Sequence, residues 1–267
     1  MKAYLSFFRM RLLNNLQYRI AAYAGIFTQF FWGFMEIQIY LAIHTGHAEQ
    51  FPMEFAHLAS YIWLRQAFFA LLNTWSFEQE LFDMILNGNV AYEVCRPVGL
   101  YGMWFARTAA LRLGRTALRC LPILLVAALL PDPWRLHGPA SAGALLAFAL
   151  SMALALGVVV AYSLIIYFSC FYTLSSDGIR AILVPLSDFL SGGMLPLPFM
   201  PDGLAAILRL SPFGAMHNAP LRVYSGDIAG AALTETLLLQ AFWLVTLIGI
   251  GVLMQRRGIR RLCVQGG

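Results

Sequence analysis

Residues 141–172 read SAGALLAFALSMALALGVVVAYSLIIYFSCFY and contain no charged side chain. At about 1.5 Å per residue, a helix of roughly 30 residues is about 45 Å long, which exceeds the ~30 Å hydrocarbon core of a bilayer. We therefore predict a transmembrane helix here, one that either tilts or projects beyond the bilayer.

The composition extends this prediction to the whole chain of 267 residues. Hydrophobic residues make up 60% of it and charged residues 12%, and the mean hydropathy is +0.70. Soluble domains are about 45–50% apolar and about 25% charged, and one of this length could not enclose so much apolar surface. The net charge of +5 comes mostly from arginines that flank apolar segments, which favours membrane orientation over nucleic-acid binding.

The remaining apolar segments complete a single all-α, polytopic membrane domain. The predicted transmembrane helices are six, at residues 20–43, 55–73, 116–131, 141–172, 179–199 and 229–254. Residues 1–19 mix basic and apolar side chains, which indicates a helix lying in the headgroup plane or, alternatively, a helical extension of the first span. Residues 200–228 are too polar to span simply, and Asp202 is expected to cap a short amphipathic helix through Leu210.

The basic residues orient these segments. With both termini in the cytoplasm (N-in, C-in), fourteen basic residues lie inside and three outside, and the inverse topology would reverse that ratio. The inner set is Lys2, Arg9, Arg11, Arg19, Arg96, Arg107, Arg112, Arg115, Arg119, Arg180, Arg256, Arg257, Arg260 and Arg261, and the outer set is Arg135, Arg209 and Arg222.

Several catalytic motifs are missing from the sequence. A phosphate-binding P-loop needs a lysine after its glycines, and the only lysine is Lys2. We find no catalytic cluster in the spans, so an enzyme is not predicted. No metal site is predicted either, because no cysteine or clear carboxylate completes one beside His44 and His47.

The most specific stretch is the predicted cytoplasmic segment 74–100. Its residues 77–97 read FEQELFDMILNGNVAYEVCRP. Leu81, Phe82 and Ile85 form an apolar strip on a predicted acidic helix, so that this helix must pack against something. The Asn87-Gly88 pair is typical of a helix C-terminus.

This segment resembles the coupling region of ABC-2 type permeases, most closely the drug and antibiotic exporters. The shared pattern is Ile85-x-x-Gly88 followed eight residues later by Arg96-Pro97. The six spans, the N-terminal interfacial helix and the Pro/Gly-rich segment between the last two spans are also similar, so that the resemblance covers nearly the whole chain. In that family the last of these segments forms short re-entrant helices on the outer side.

The resemblance implies the permease subunit of an ABC exporter in the bacterial inner membrane. It would move a lipophilic or cationic small molecule outward by alternating access. Its partners would be two ABC ATPase subunits, which use ATP and Mg, and a second permease, identical or homologous, all in contact with membrane lipid. The chain itself would hold no cofactor. A polysaccharide or lipid exporter permease of the same family is the alternative, followed by a proton-coupled secondary transporter.

The resemblance also implies roles for particular residues. Coupling to the ATPase would use Glu80, Asp83, Ile85, Gly88, Arg96 and Pro97. Apart from the resemblance, charges inside a membrane are costly and are usually paired or functional, so we expect Glu36 and Arg65 to form a structural salt bridge between neighbouring spans. The alternative is a role in the substrate path, for which Glu36, Arg65, Tyr61 and Asp188 are the candidates. An outer gate would use Gly192, Gly193, the two prolines Pro196 and Pro198 that follow Leu195 and Leu197, and Pro212.

Overall fold

The computed structural model describes residues 2–17, 19–46, 49, 51–173 and 175–261, with only the backbone of residues 19 and 21. Within these ranges the protein is helical and has no strand. The helices are α1 (Lys2–Asn15), α2 (Arg19–Gly46), α3 (Phe55–Ala67), α4 (Phe69–Leu72), α5 (Gln79–Leu86), α6 (Val90–Val94), α7 (Leu100–Ala117), α8 (Cys120–Leu129), α9 (Ala142–Thr173), α10 (Asp177–Leu190), α11 (Asp202–Leu210), α12 (Asn218–Tyr224) and α13 (Gly230–Ile259), with a 3-10 turn at Leu197–Phe199.

Three of these helices are long and apolar enough to cross a membrane, namely α9, α13 and the part of α2 at Ala22–Gly46. They coincide with the first, fourth and sixth predicted spans, and α13 continues to Ile259, past the predicted end at residue 254. Large apolar side chains are exposed on α2 and α13, such as Phe27 and Val245. Such a surface suits contact with lipid, and the predicted membrane-protein character is confirmed at this level.

The other three predicted segments differ from single long helices. The segment 55–73 is divided at Phe68 into α3 and α4, and the segment 116–131 contains the end of α7 and the ten residues of α8. The predicted helix at 179–199 ends as α10 at Leu190. It stops there because Gly192 has a φ of +86°, a left-handed conformation typical of helix ends, and because Pro196 and Pro198 cannot continue the helix.

The protein packs around α9 and α3. Helix α9 contacts α13, α12, α7, α5 and α10, whereas α3 is buried from Leu58 to its end. Close approach of α9 and α13 requires small residues: a Cβ added at Gly157 would lie 2.8 Å from Leu244, and one at Gly258 would lie 2.6 Å from Phe171. The central helices α9 and α3 thus carry the segments described below.

Helix α1 runs beside α7. A Cβ at Gly114 would lie 2.8 Å from the Cβ of Asn15, so the two backbones approach closely. The Tyr4 hydroxyl accepts a hydrogen bond of 2.9 Å from the Gly99 N–H at the start of α7. The N-terminal helix predicted from the sequence is thus attached to the segment that follows α6.

Candidate functional site

Helix α5 carries the resemblance to a coupling helix, and its apolar strip faces the interior of this chain. Leu81, Phe82 and Ile85 are all buried. The Phe82 ring lies 4.6 Å from the ring of Tyr167 on α9, and the Tyr167 hydroxyl accepts a 2.6 Å hydrogen bond from the Glu78 N–H. Ile85 therefore contributes to the chain's own core.

A buried arginine joins α5 to α7. The Arg107 Nε donates to both carboxylate oxygens of Glu78, at 3.1 and 3.0 Å, and Arg107 also forms an ion pair with Glu80. Burial disfavours the charged guanidinium, but the hydrogen bonds that it donates to both glutamates outweigh this effect, so the pKa of Arg107 is raised. The hydrogen bond from Arg107 correspondingly lowers the pKa of Glu80.

The opposite face of α5 and the turn after it are exposed. Gly88 has a φ of +73°, which ends the helix as predicted and turns the chain into α6. Asp83, Arg96 and Pro97 are exposed at this end of the molecule, and Tyr92 of α6 is 76% exposed. This face, residues 80–97 apart from the buried strip and the buried Val90, combines acidic and apolar groups and is named the α5–α6 surface.

A second polar cluster joins α2, α3 and the end of α10. Arg65 forms an ion pair with Glu36 and also donates to the Gly193 carbonyl. The Tyr61 hydroxyl donates to the Gly192 carbonyl at 3.1 Å. The structural ion pair considered from the sequence is present. Two of the four predicted path residues, Tyr61 and Arg65, contact the two predicted gate glycines.

Asp188, the fourth path residue, lies one turn before Gly192. Its backbone carbonyl accepts a 3.0 Å hydrogen bond from the Gly193 N–H. A Cβ at Gly193 would clash with the Asp188 carboxylate, so only glycine fits there without a shift. The cluster of Glu36, Tyr61, Arg65, Asp188, Gly192 and Gly193 is named the polar junction.

The segment that follows α10 is attached to the same place. The Ser191 hydroxyl and His217 Nδ1 lie 2.9 Å apart, and the Asn218 N–H donates to the Ser191 carbonyl at 3.3 Å. Leu197 is buried in a small core with α11, and Pro212 begins the turn that precedes α12. The predicted gate residues therefore lie along one connection from α10 to α12.

Sequence reasoning missed the role of Arg112. This fully buried residue donates from Nη1 to the Asn73 carbonyl at 2.5 Å, beyond the end of α4, and from Nη2 to the Ser163 hydroxyl at 3.0 Å. Burial lowers its pKa to about 10, so it remains charged at neutral pH. The near-helical spacing of the arginines in α7 was the only signal in the sequence, and it does not reveal which carbonyls they reach.

A cavity of about 860 Å³ lies between α11, α12 and the N-terminal half of α13. Its lining is mainly apolar and includes Glu235, Gln240 and Phe242. None of the four predicted path residues lines it. A group of three or more metal-ligating side chains does not occur among the described residues, and His47 lies outside them.

Comparison of the sequence with known proteins yields no match. No family model fits the chain, and no curated protein matches it. The residues and their geometry therefore carry the functional assignment.

Proposed function

We propose that this chain is the transmembrane subunit of an ATP-driven, ABC-2 type exporter in the bacterial inner membrane. The observation that carries the proposal is the division of α5 into two faces. Its apolar strip is fixed to α9 by Tyr167 and its acidic end to α7 by Arg107, which leaves the α5–α6 surface free for a partner. A separate ATPase subunit needs a rigidly held surface of this kind in order to transmit its movement to the transmembrane helices.

The proposal includes six membrane crossings, with both termini inside. Helices α3 and α4 together cover residues 55–72, which at about 1.5 Å per residue is about 27 Å and close to the thickness of the hydrocarbon core. Helix α8 follows α7 after only Leu118 and Arg119 and would supply the third crossing, and α10 with the segment that follows it would supply the fifth. The arginine distribution supports this arrangement.

In the proposed mechanism, two ATPase subunits bind ATP and Mg and press on the α5–α6 surfaces of two permease subunits. Movement of α5 passes to α9 through Tyr167 and to α7 through Arg107. The polar junction connects α2, α3 and α10, so these helices move together when access alternates. The cargo proposed on the family resemblance is a lipophilic or cationic small molecule.

The test uses the chain purified together with its ATPase. Asp83→Arg reverses the charge of an exposed residue of the α5–α6 surface, and we expect it to abolish stable assembly and cargo-stimulated ATP hydrolysis. Asp132→Arg is the control, because Asp132 is also exposed but lies in the predicted outer loop. Wild-type assembly and hydrolysis in Asp83→Arg would show that the coupling assignment is wrong.

A second measurement separates this function from proton-driven transport. Vesicles that contain the chain without an ATPase are given a proton gradient, and we expect no cargo uptake. Uptake under these conditions would replace the proposed exporter with a secondary transporter.

A further inference from the structure

A basic cavity of about 380 Å³ lies where α1, the beginning of α2 and the end of α7 meet. Its lining is dominated by polar and cationic groups, whereas the 860 Å³ cavity beside α13 has a mainly apolar lining. The charged and amide side chains around it are Arg11, Asn14, Asn15, Glu78, Arg115 and Arg119. Apart from Glu78, none of these residues has a part in the proposed transport mechanism.

The cavity carries an excess of positive charge. The one carboxylate among its described lining residues, Glu78, is neutralised by Arg107 through hydrogen bonds of 2.9–3.1 Å. Neither Arg11 nor Arg115 has a carboxylate within ion-pair distance in the described part of the chain. An anion in the cavity would neutralise the charges of Arg11 and Arg115.

The cationic groups are held in place before any ligand arrives. The close contact of α1 and α7 at Gly114 fixes the distance between the two helices next to Arg115. The Asn15 amide donates to the Arg11 carbonyl at 2.8 Å, and the Arg11 guanidinium lies 5.4 Å from the Phe7 ring centroid. A site organised in this way loses little side-chain entropy on binding.

The surface beside the cavity is apolar and exposed. Tyr23 and Phe27 of α2 are 70% and 77% exposed, and Leu121 and Leu125 of α8 are 63% and 62% exposed. These helices lead away from the cavity into the segments predicted to cross the membrane. A ligand with an anionic head and long apolar chains fits both surfaces, whereas a free anion uses only the first.

We propose that this cavity binds the phosphate group of an anionic phospholipid, whose acyl chains lie along α2 and α8. Basic pockets between helices at the cytoplasmic side of a membrane suit such headgroups. The lipid would join α1 to α2 and α8, next to the Glu78–Arg107 pair that holds α5. This proposal does not depend on the transport function.

The test is native mass spectrometry of the full-length chain in detergent, with equal amounts of phosphatidylglycerol or phosphatidylcholine added. We expect retained phosphatidylglycerol on the wild-type chain and at least about tenfold weaker binding in Arg11→Gln/Arg115→Gln, given the contribution of each basic residue. Arg9→Gln is the matched control, because Arg9 is exposed on the same helix and outside the cavity. We expect it to weaken binding less than the double variant does, because Arg9 does not line the cavity.

A charge-conserving variant distinguishes loss of the site from loss of folding. Arg11→Lys/Arg115→Lys keeps both positive charges and is expected to retain most of the binding. Unchanged phosphatidylglycerol binding in the double glutamine variant, or equal binding of phosphatidylcholine, would overturn the proposal. Displacement of the lipid by millimolar inorganic phosphate would assign the cavity to a soluble anion and overturn the lipid assignment.

Discussion

At the scale of single residues, the polar junction combines charge with close packing. Glu36 and Arg65 have side chains that are only 13% and 8% exposed, and Arg65 also holds the Gly193 carbonyl. A buried ion pair adds little net stability compared with apolar packing, but loss of one partner leaves an uncompensated charge. The loss of unfolding free energy on mutation of Glu36 or Arg65 therefore depends on whether a charge is left unpaired.

We expect Arg65→Met to lower the free energy of unfolding by about 3–5 kcal/mol, because the Glu36 carboxylate loses its partner. Glu36→Gln/Arg65→Met removes the remaining charge and should recover part of that loss. Thermal or denaturant unfolding in detergent measures both. Arg209→Met at an exposed position is the control, and an equal loss in the single and double variants would contradict the role of the ion pair.

Gly192 gives a second prediction at this scale. Its φ of +86° costs an L-residue about 1–2 kcal/mol, and an added Cβ would lie 2.9 Å from the Tyr61 hydroxyl. Gly192→Ala should therefore lower the unfolding free energy by at least that amount. Gly249→Ala, in α13 with no atom within 4 Å of the added Cβ, should leave stability unchanged or raise it by up to about 1 kcal/mol. Similar effects of the two substitutions would contradict the geometry.

At the scale of elements, α5 is held from two sides rather than by its own helical propensity. It has only eight residues, and isolated helices shorter than about 12–15 residues are marginal in water. Contact with Tyr167 and the ion pairs of Arg107 provide the stability it lacks. Its orientation should therefore be sensitive to Arg107.

We expect Arg107→Met to destabilise the protein by about 2–3 kcal/mol at neutral pH, through the loss of charged hydrogen bonds to Glu78. Limited proteolysis should then cleave the segment between α4 and α7 faster than in wild type. Arg96→Met is the control, since Arg96 is 54% exposed and lies 3.6 Å from Glu93, and exposed pairs contribute about 0–1 kcal/mol. Equal proteolysis of the two variants would show that Arg107 does not hold α5.

The pH dependence of stability follows from the same contact. Because Arg107 lowers the pKa of Glu80, the stability gained from Glu80 is present above its ordinary pKa and is lost as the pH falls through the lowered value. The unfolding midpoint of wild type should therefore fall more on acidification from pH 7 into the carboxylate range than that of Arg107→Met. Parallel pH profiles would contradict this linkage.

At the scale of the whole molecule, the number of crossings decides where the loops lie. With three crossings, at α2, α9 and α13 alone, residues 54 and 95 would be on the same side of the membrane. With six crossings they are on opposite sides, because α3 and α4 separate them. Cys95 is exposed, and the Glu54 side chain is 79% exposed, so both positions are accessible to a reagent.

We expect a membrane-impermeant maleimide to label Cys95 only in inverted vesicles when Cys120, Cys170 and Cys263 are replaced by serine. Glu54→Cys, in a chain that also carries Cys95→Ser, should be labelled only in right-side-out vesicles. Arg257→Cys in that same background should behave like Cys95, since the C-terminal end of α13 is predicted to be inside. Labelling of positions 54 and 95 from one side would contradict six crossings.

The sequence by itself determined the class of protein and its longest helices. Hydropathy and helix length are local properties, so the segments at 20–43, 141–172 and 229–254 could be located without tertiary information. The same holds for the amphipathic α5 and its end at Gly88, which depend on side-chain spacing and one backbone conformation. For these features the physical cause lies within the segment itself.

Only the tertiary structure decided what each polar group contacts. Arg107 and Glu78 are 29 residues apart, and Arg65 and Gly193 are 128 apart, so no local pattern could pair them. The face of α5 that is buried depends on Tyr167, and the early end of α10 accompanies the contacts of Tyr61 and Arg65 with the following glycines. A buried charged side chain pairs with whichever polar groups the fold places beside it. That placement is a property of the assembled helices and not of one segment.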